Sequence, residues 1–198
     1  GTSIATSMIL QEALFFFATL VTDSGRDLAN AYAVGHGGPY PLYGPGLFGH
    51  WKLGPVWFYV LALPLKVFGS VTAASVFVGF LASLKIPLAY LLGKRLFDER
   101  LGILAAVLIS LPGWTSVGSL VVAHVSVVET TMLATALLSL VAWQEQRVFP
   151  ALAAALMLSL AIHAHPTALI MAPAVVLAVV KRCVMTRRWL MFLLSLGI

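Results

Sequence analysis

Residues 101–143, LGILAAVLISLPGWTSVGSLVVAHVSVVETTMLATALLSLVAW, decide the fold class of this chain. A helix that spans a membrane needs about 20 apolar residues, so this run is too long for a single span. Pro112 and Gly113 interrupt it, and a Pro–Gly pair is typical of a tight turn. The run therefore predicts two membrane spans, 101–115 and 117–143, on either side of that turn.

Apolar runs of the same character fill most of the chain. Of its 198 residues, 61% are hydrophobic and 10% are charged, whereas a soluble domain is roughly half apolar and about a quarter charged. The runs lack the two-residue alternation of a membrane barrel, and only helices otherwise satisfy the backbone in lipid. We therefore predict an all-α integral membrane protein, a polytopic helical bundle of about seven spans that forms a single domain, 1–198. The other predicted spans are 3–22, 71–93, 148–164, 166–180 and 188–198.

The basic residues predict the orientation of these spans. They fall in three clusters, which are Lys94/Arg95/Arg100, Arg147 and Lys181/Arg182/Arg187/Arg188. The predicted spans place all three clusters on one side, which the positive-inside rule makes cytoplasmic. The net charge of +5 thus indicates membrane topology rather than a nucleic-acid partner, for which no motif is present. The predicted location is the inner (plasma) membrane, with membrane lipids as partners and the loop 22–70 on the outer face.

The segment 55–69, PVWFYVLALPLKVFG, decides whether that loop stays outside. It is apolar but only about 15 residues long, which suits an interfacial or re-entrant helix better than a full crossing. Aromatic residues such as Trp57 and Tyr59 also favour a membrane interface. We therefore predict interfacial helices within the outer loop. The alternative is a full crossing, which would move the loop 22–55 to the cytoplasm.

The termini and the single cysteine bear on the extent and surroundings of the chain. The chain begins without Met and ends inside the apolar run 188–198, so we expect a protein that is truncated at the C-terminus. Cys183 lies among basic residues and cannot form an internal disulfide, which agrees with a reducing cytoplasmic side.

Many of the chain's ionisable residues lie in the predicted outer loop, within residues 22–55. This stretch reads TDSGRDLANAYAVGHGGPYPLYGPGLFGHWKLGP. Asp23 could act as a general base on an acceptor hydroxyl, or it could cap a helix that begins near Ser24. Arg26 could hold a phosphate through its guanidinium fork, with Asp27 beside it, or it could contact lipid headgroups. Both alternatives remain open from spacing alone.

The rest of the loop offers weaker candidates. His50 and Lys52 flank Trp51 after a stretch rich in glycine and proline that cannot form a regular helix. Lys52 could contact a lipid phosphate or anchor the loop at the interface. His36 and His50 could bind a metal only with acids folded back onto them, and no metal-binding spacing is present.

Ionisable residues also lie inside or at the ends of the predicted spans. His124 and Glu129 could line a groove near the outer side, because intramembrane ionisable groups usually mark a cavity or pathway. Glu12 and Lys85 could pair with each other. His163 and His165, in AIHAHPT, lie at an outer helix end, where one of them could face a cavity.

Five stretches of this sequence, in order, resemble polytopic GT-C glycosyltransferases of the family-39-like, polyprenyl-phosphate-sugar-dependent type. They are D-S-G-R-D-L-A-N-A-Y, G-P-G, G-P-V-W-F-Y-V-L-A-L-P-L-K-V-F-G-S, G-K-R-L-F-D-E-R-L-G-I-L-A-A and L-A-I-H-A-H-P-T-A-L-I-M-A-P. The resemblance covers essentially the whole chain and corresponds to the N-terminal portion of longer relatives. It implies sugar transfer from a polyprenyl-phosphate donor on the outer membrane face.

The resemblance also implies roles for individual residues. Asp23 matches the catalytic acid of the first outer loop, and Arg26 and Asp27 match the following Arg–Asp pair. Lys52 lies near a basic position of related transferases, and His165 matches the His of the family's H-P-T segment. Together with His50 and Glu129, these residues form the predicted substrate site around Asp23.

We therefore predict a glycosyltransferase in which Asp23 activates the acceptor while Arg26 and Lys52 hold the donor phosphate. A divalent metal is optional, because the leaving group is already a phosphate.

The sequence departs from the family pattern at one position: the family usually has Glu after the first Asp, and here that residue is Ser24. The alternative is a non-catalytic membrane subunit of a larger complex, built on a shortened GT-C scaffold. A transporter would need discontinuous helices and an internal repeat, and we detect no such repeat.

Overall fold

The computed structural model describes residues 4–9, 22–47, 51–111 and 122–186. Residues 4–9 are helical, and the rest of the described chain forms eight named helices, two short 3₁₀ segments and one small hairpin. The helices are α1 Thr22–Gly35, α2 Val56–Phe68, α3 Val71–Ser83, α4 Lys85–Leu96, α5 Glu99–Ser110, α6 Val128–Glu145, α7 Val148–Ala164 and α8 Ala172–Thr186. The 3₁₀ segments are His124–Val127 and Pro166–Met171, and the hairpin pairs β1 Gly46–Leu47 with β2 Trp51–Lys52.

The helical content confirms the predicted all-α class. Two helical stretches are long and apolar enough to cross a membrane, Val71–Leu96 and His124–Glu145. The first combines α3 and α4 through a turn at Leu84, and the second combines a 3₁₀ segment with α6. The count of seven spans stays a prediction, since the segment 188–198 and most of 3–22 lie outside the described residues.

Helix α2 corresponds to the segment 55–69 that decides the topology. It has 13 residues, which give it a length of about 20 Å, whereas a bilayer core is about 30 Å thick. The helix ends at Gly69, whose φ of 60° is the left-handed conformation that glycine adopts readily. Its length therefore agrees with an interfacial helix and is short for a full crossing.

The segment that contains α1 and α2 packs against the rest of the chain. Buried residues from both helices, from α3 and from the segment before α6 form one apolar cluster. Its members are Leu28, Ala31, Trp57, Phe58, Leu61, Ala62, Leu65, Ala74, Val78, Ala82 and Val122. This cluster fixes α1 on α2, so the polar residues at the start of α1 have a defined position relative to the helices beneath them.

A second apolar cluster joins α6, α7 and α8. Most of its residues are small, which allows helix backbones to approach closely. The members are Ala142, Ala151, Ala154, Val175, Ala178 and Val179. Packing of this kind suits helices in lipid, where van der Waals contact rather than exclusion of water holds them together.

A buried ion pair connects α4 to α6. The Nζ atom of Lys85 lies 2.6 Å from Oε2 of Glu129, and the Lys85 side chain is almost completely buried. The hydroxyl of Thr130 donates to the backbone oxygens of Leu81 and Ala82 at the end of α3. The suggested partner of Lys85 in the sequence was Glu12, which lies outside the described residues, and the structure shows Glu129 in contact with Lys85.

Residues from all three basic clusters meet at one end of the structure. Arg95 donates to Gln144 and Glu145 at the end of α6, and Arg147 lies 3.5 Å from Glu145. Lys181 donates to the Trp143 backbone oxygen, and its Nζ lies 3.9 Å from the centroid of the Trp143 ring. The C-terminal ends of α4, α6 and α8 therefore lie close together.

Candidate functional site

Helix α1 brings together Asp23, Arg26 and Asp27, which are three of the charged residues of the first loop. The helix begins at Thr22, so Asp23, Arg26 and Asp27 occupy positions i, i+3 and i+4, which are neighbours on a helix surface. The Nη1 atom of Arg26 lies 2.9 Å from Asp23 Oδ1, and its Nε and Nη2 atoms donate to Asp27 Oδ1 at 3.0 and 2.8 Å. The guanidinium is thus held between two carboxylates.

The two carboxylates differ sharply in their exposure. The Asp23 side chain is 57% exposed, whereas that of Asp27 is 0% exposed. A carboxylate can interact with a substrate only where it is accessible, so Asp23 is available to a ligand and Asp27 is not. The Arg26 side chain, at 36% exposure, lies between them at the surface.

The buried Asp27 carboxylate accepts hydrogen bonds from three parts of the chain. Trp57 Nε1, on α2, donates to Asp27 Oδ2 at 2.9 Å, and Arg26 donates to Oδ1. His124 Nδ1 lies 3.3 Å from the same Oδ2. Because an ionised carboxylate only accepts, the His124 Nδ1 carries the proton in this contact. We call Arg26, Asp27, Trp57 and His124 the Asp27 cluster.

Ser24 is also buried at the start of α1. Its side chain is 0% exposed, and its hydroxyl has no hydrogen-bond partner within the described residues. This is the position at which the resembling transferases usually have Glu. The structure therefore places the departure from the family pattern inside the protein rather than on the surface beside Asp23.

His165 lies near His124. Its Nδ1 accepts hydrogen bonds from the backbone N–H and the hydroxyl of Thr167, so the proton of the neutral ring is on Nε2. Burial lowers the pKa of His165 below its ordinary value of 6.5, and the nearby His124 lowers it further. His165 therefore belongs to the same end of the molecule as the Asp27 cluster, as a neutral imidazole.

An apolar cavity of about 230 Å³ adjoins the Asp27 cluster through Trp57. Its lining comes from α2, α3, α6 and α7 and from the segment before α6, namely Val56, Trp57, Val60, Leu81, Val127, Thr130, Thr131, Leu160, His163 and Ala164. The His163 ring also packs directly on Gly54, where any side chain would overlap it. Its Nδ1 is buried without a hydrogen-bond partner in the described structure.

The remaining residues of the loop make their described contacts with residues outside this cluster. Lys52, on β2, is exposed, and its Nζ lies 5.0 Å from the centroid of the Tyr43 ring. Tyr59 on α2 donates to the Pro41 backbone oxygen, which attaches the glycine-rich segment to α2. His36 stacks on Tyr32 at the end of α1. His50 lies outside the described residues.

Glu129 contacts Lys85 rather than a member of the Asp27 cluster. Its side chain is 36% exposed, so part of it remains accessible. Within residues 4–9, 22–47, 51–111 and 122–186, no three His, Cys, Asp or Glu side chains come close enough to hold a metal ion.

Comparison with known families adds the assignment that geometry alone does not provide. The model of the dolichyl-phosphate-mannose-protein mannosyltransferase family matches residues 52–198, which is most of the chain. The chain belongs to this family. It is therefore a membrane glycosyltransferase of the GT-C type. No curated protein and no solved structure gives a significant match to it.

Only part of the candidate site of this GT-C family member lies within the matched region. The matched region begins at Lys52 and includes Trp57, His124 and His165, whereas α1, with Asp23, lies before it. The roles of Asp23, Arg26 and Asp27 therefore depend on their geometry and on the resemblance of the first loop.

The charged residues of α1 are predictable from the sequence, but the side chains that surround them in the fold are not. Trp57 was considered only as an interfacial aromatic residue, although its N–H donates to the buried Asp27. His124 was considered as a groove residue, although it lies 97 positions from Asp27 in sequence. No periodicity or motif reports a contact over that separation, so the Asp27 cluster could be found only from the fold.

Proposed function

We propose that this GT-C family member transfers a sugar from a polyprenyl-phosphate donor to an acceptor on the outer face of the inner membrane. The observation that carries the proposal is the pairing of an exposed Asp23 with an Arg26 guanidinium that two carboxylates hold in place. This pair supplies a base and a phosphate-binding group side by side, which are the two functions that such a transfer needs.

Asp23 is the general base in this proposal. The acceptor hydroxyl oxygen forms a bond to the anomeric carbon of the sugar, and its proton passes to the Asp23 carboxylate. The bond between that carbon and the phosphate oxygen breaks, and the polyprenyl phosphate leaves with the electron pair. The exposure of Asp23 supports the role, because an acceptor can reach its carboxylate from solvent.

Arg26 and Lys52 hold the phosphate of the donor. Three of the five guanidinium N–H groups of Arg26 point at Asp23 and Asp27, which leaves two for a ligand. Lys52 is an exposed cation on β2, in the same outer loop. Negative charge develops on the phosphate as it leaves, so cations at this position stabilise the transition state more than the ground state.

The other predicted substrate residues take supporting positions in the proposal. Asp27 contributes by holding Arg26, and His165 contributes from its position near His124. Glu129 contributes through the accessible part of its side chain, and His50 stays a predicted contact. The cavity beside Trp57 accommodates an apolar part of the donor, since nearly all of its lining is apolar. Its proximity to the Asp27 cluster supports a donor that joins a phosphate to a hydrocarbon chain.

Two features support the proposed membrane placement. Residues of the basic clusters meet at the end of α6, and Lys and Arg are retained on the cytoplasmic side. The short α2 supports an interfacial position in the first loop, which keeps α1 on the outer face. We propose that 1–198 forms one transmembrane domain with the loop 22–70 outside.

Transfer by membranes that contain the full chain tests the proposal. The donor is polyprenyl-phosphate mannose with a radioactive sugar, chosen first because the family is described by mannosyl transfer, with glucose and pentose donors in parallel. We expect label to leave the donor lipid with the wild-type chain and transfer to fall by about 10²–10⁴-fold in Asp23→Asn.

The matched control is Asp98→Asn. Asp98 caps α5 at the other membrane side of the proposed topology, and Asn is an equally good N-cap, so transfer should be unchanged. Full transfer by Asp23→Asn would contradict the proposed base. Absence of transfer by the wild-type chain with every donor would favour the non-catalytic subunit.

A further inference from the structure

The Asp27 carboxylate connects α1 to the segment before α6 through the side chain of His124. A charge removed from water needs hydrogen-bonding partners, and Asp27 has them on both oxygens. Oδ1 receives Arg26, and Oδ2 receives Trp57 and His124. The position of the carboxylate therefore depends on donors that belong to three separate parts of the chain.

The orientation of Arg26 depends in turn on Asp27. Nε and Nη2 form a two-point contact with Asp27 Oδ1, whereas the contact with the exposed Asp23 uses Nη1 alone. Charge-assisted contacts of this kind constrain the plane of a guanidinium, and a buried anchor constrains it more than an exposed one. A rotation of the Asp27 carboxylate would consequently turn the free N–H groups of Arg26.

His124 is placed to prevent that rotation. Its side chain is only 5% exposed, and its Nδ1 lies on the opposite oxygen from Arg26. The 3₁₀ segment His124–Val127 leads directly into α6, so the imidazole is attached to one of the two membrane-length helical stretches. Trp57 supports the same oxygen from α2.

We infer that His124 is a positioning residue which, through Asp27, holds the Arg26 guanidinium in the orientation that receives a phosphate. The inference rests on the proposed function only in taking a phosphate as the ligand of Arg26. It requires no sugar transfer, because it concerns the binding of the phosphate group alone.

The experiment measures the binding of farnesyl phosphate to the full chain in detergent, with farnesol as the uncharged comparison. Arg26→Gln should weaken binding of farnesyl phosphate by about 10–100-fold, because it removes a charged partner. His124→Leu should weaken it by about tenfold. His124→Asn should retain binding within about threefold, because the Asn amide N–H can occupy the position of the imidazole Nδ1–H. Binding of farnesol should not change.

A double-variant cycle separates positioning from a general loss of structure. If His124 acts through Arg26, His124→Leu should have no further effect in a chain that already carries Arg26→Gln. Additive losses, equal weakening by the Leu and Asn variants, or unchanged binding in His124→Leu would each overturn the inference. His36→Leu, the same change at an exposed histidine immediately after α1, should bind farnesyl phosphate as the wild type does.

Trp57→Phe provides a second path if His124→Leu does not fold. It removes the other donor to Asp27 Oδ2 and should likewise weaken binding only while Arg26 is present. Additive behaviour here would also overturn the inference. A chain that shows this binding pattern but transfers no sugar would contradict the proposed reaction and leave the positioning role of His124 established.

Discussion

At the residue scale, Gly54 shows how closely the first loop packs against α7. The His163 ring occupies the space that a side chain at position 54 would need. Glycine is required here for close approach, and its backbone conformation is not left-handed. The contact joins the end of the hairpin to the last turn of α7, so the first loop packs directly on that helix.

Gly54→Ala should therefore destabilise the protein. Overpacking of a filled site costs about 1–3 kcal/mol, because the imidazole or the hairpin must move. The measurement is the thermal unfolding midpoint in detergent. Gly25→Ala is the matched control, since a methyl group there meets nothing within 4 Å and Ala favours the helix over Gly. An unchanged midpoint in Gly54→Ala would show that His163 moves aside without cost.

His165 makes stability depend on pH. Its folded pKa is lowered below 6.5, so the unfolded chain binds the proton more readily than the folded chain does. The stability that its neutral form provides is present above that value and is lost as the pH falls through the folded pKa. The unfolding midpoint should thus decrease between about pH 7 and pH 5, and His165→Asn should decrease less.

Asn is chosen at position 165 because its side-chain oxygen can still accept the Thr167 N–H. The comparison with wild type then reports the titration rather than the loss of a cap. Parallel pH profiles for the two proteins would exclude His165 as the source of the dependence.

At the element scale, the ion pair between Lys85 and Glu129 joins α4 to α6. The pair lies next to Leu84, where the first long helical stretch turns, and next to Thr130, which bonds to the end of α3. Three helices therefore meet at one polar point in otherwise apolar surroundings. Such a point sets the register of helices whose small apolar side chains would fit together in more than one way.

Glu129→Ala should destabilise the fold because it leaves the Lys85 ammonium buried without a partner. The expected cost is at or below the lower end of roughly 3–5 kcal/mol, because the Glu129 side chain is 36% exposed. The double variant Lys85→Met, Glu129→Met should recover most of it, since a hydrophobic pair of similar size replaces the ions. Thermal unfolding midpoints in detergent measure both effects.

The surface pair of Arg95 and Glu145 is the matched control for this prediction. Glu145→Ala should cost less than about 1 kcal/mol, as exposed pairs do.

The double variant Lys85→Met, Glu129→Met also tests the predicted substrate contact of Glu129. Loss of transfer at wild-type stability would assign Glu129 to the substrate site, whereas retained transfer would leave it a purely structural residue.

The predictability of the elements varied with the signals at their ends. Helix α7 was predicted as 148–164 and observed as Val148–Ala164, because Pro166 and the polar residues before Val148 mark both ends. The run 166–180 was predicted as one span, but it begins as a 3₁₀ segment and continues as α8 from Ala172. Hydropathy measures only apolar content, so it cannot distinguish a 3₁₀ turn from an α-helical one.

The same limit applies to the candidate site. The charges of Asp23, Arg26 and Asp27 are visible in the sequence, and so is their spacing on a helix. Which acid is exposed and which is buried depends on the face that α1 turns toward Trp57 and His124. That face is set by packing between distant segments, which no local pattern records.

At the scale of the whole molecule, α6 separates the basic clusters from the Asp27 cluster. Residues of the three basic clusters meet around the end of α6, and the Asp27 cluster lies near its beginning. The length of α6 with its preceding 3₁₀ segment, 22 residues, is sufficient to place a bilayer between them. The proposed topology therefore has a direct test.

Single-cysteine labelling provides that test in a Cys183→Ser background. Tyr40 and Phe97 are exposed residues of the first loop and of the turn between α4 and α5. A membrane-impermeant maleimide should label Tyr40→Cys in intact cells and Phe97→Cys only after permeabilisation. Labelling in the opposite pattern would reverse the orientation. Labelling of both residues only after permeabilisation would show that α2 crosses the membrane.

The hydrogen bond between His124 and Asp27 limits which first loops can be exchanged between related proteins in a chimera. A chimera that receives a foreign first loop would keep its own imidazole before α6, and the imported carboxylate would meet a donor it was not paired with. Residues 27 and 124 should therefore be inherited as a pair, and loop grafts should succeed only when both positions come from the same parent.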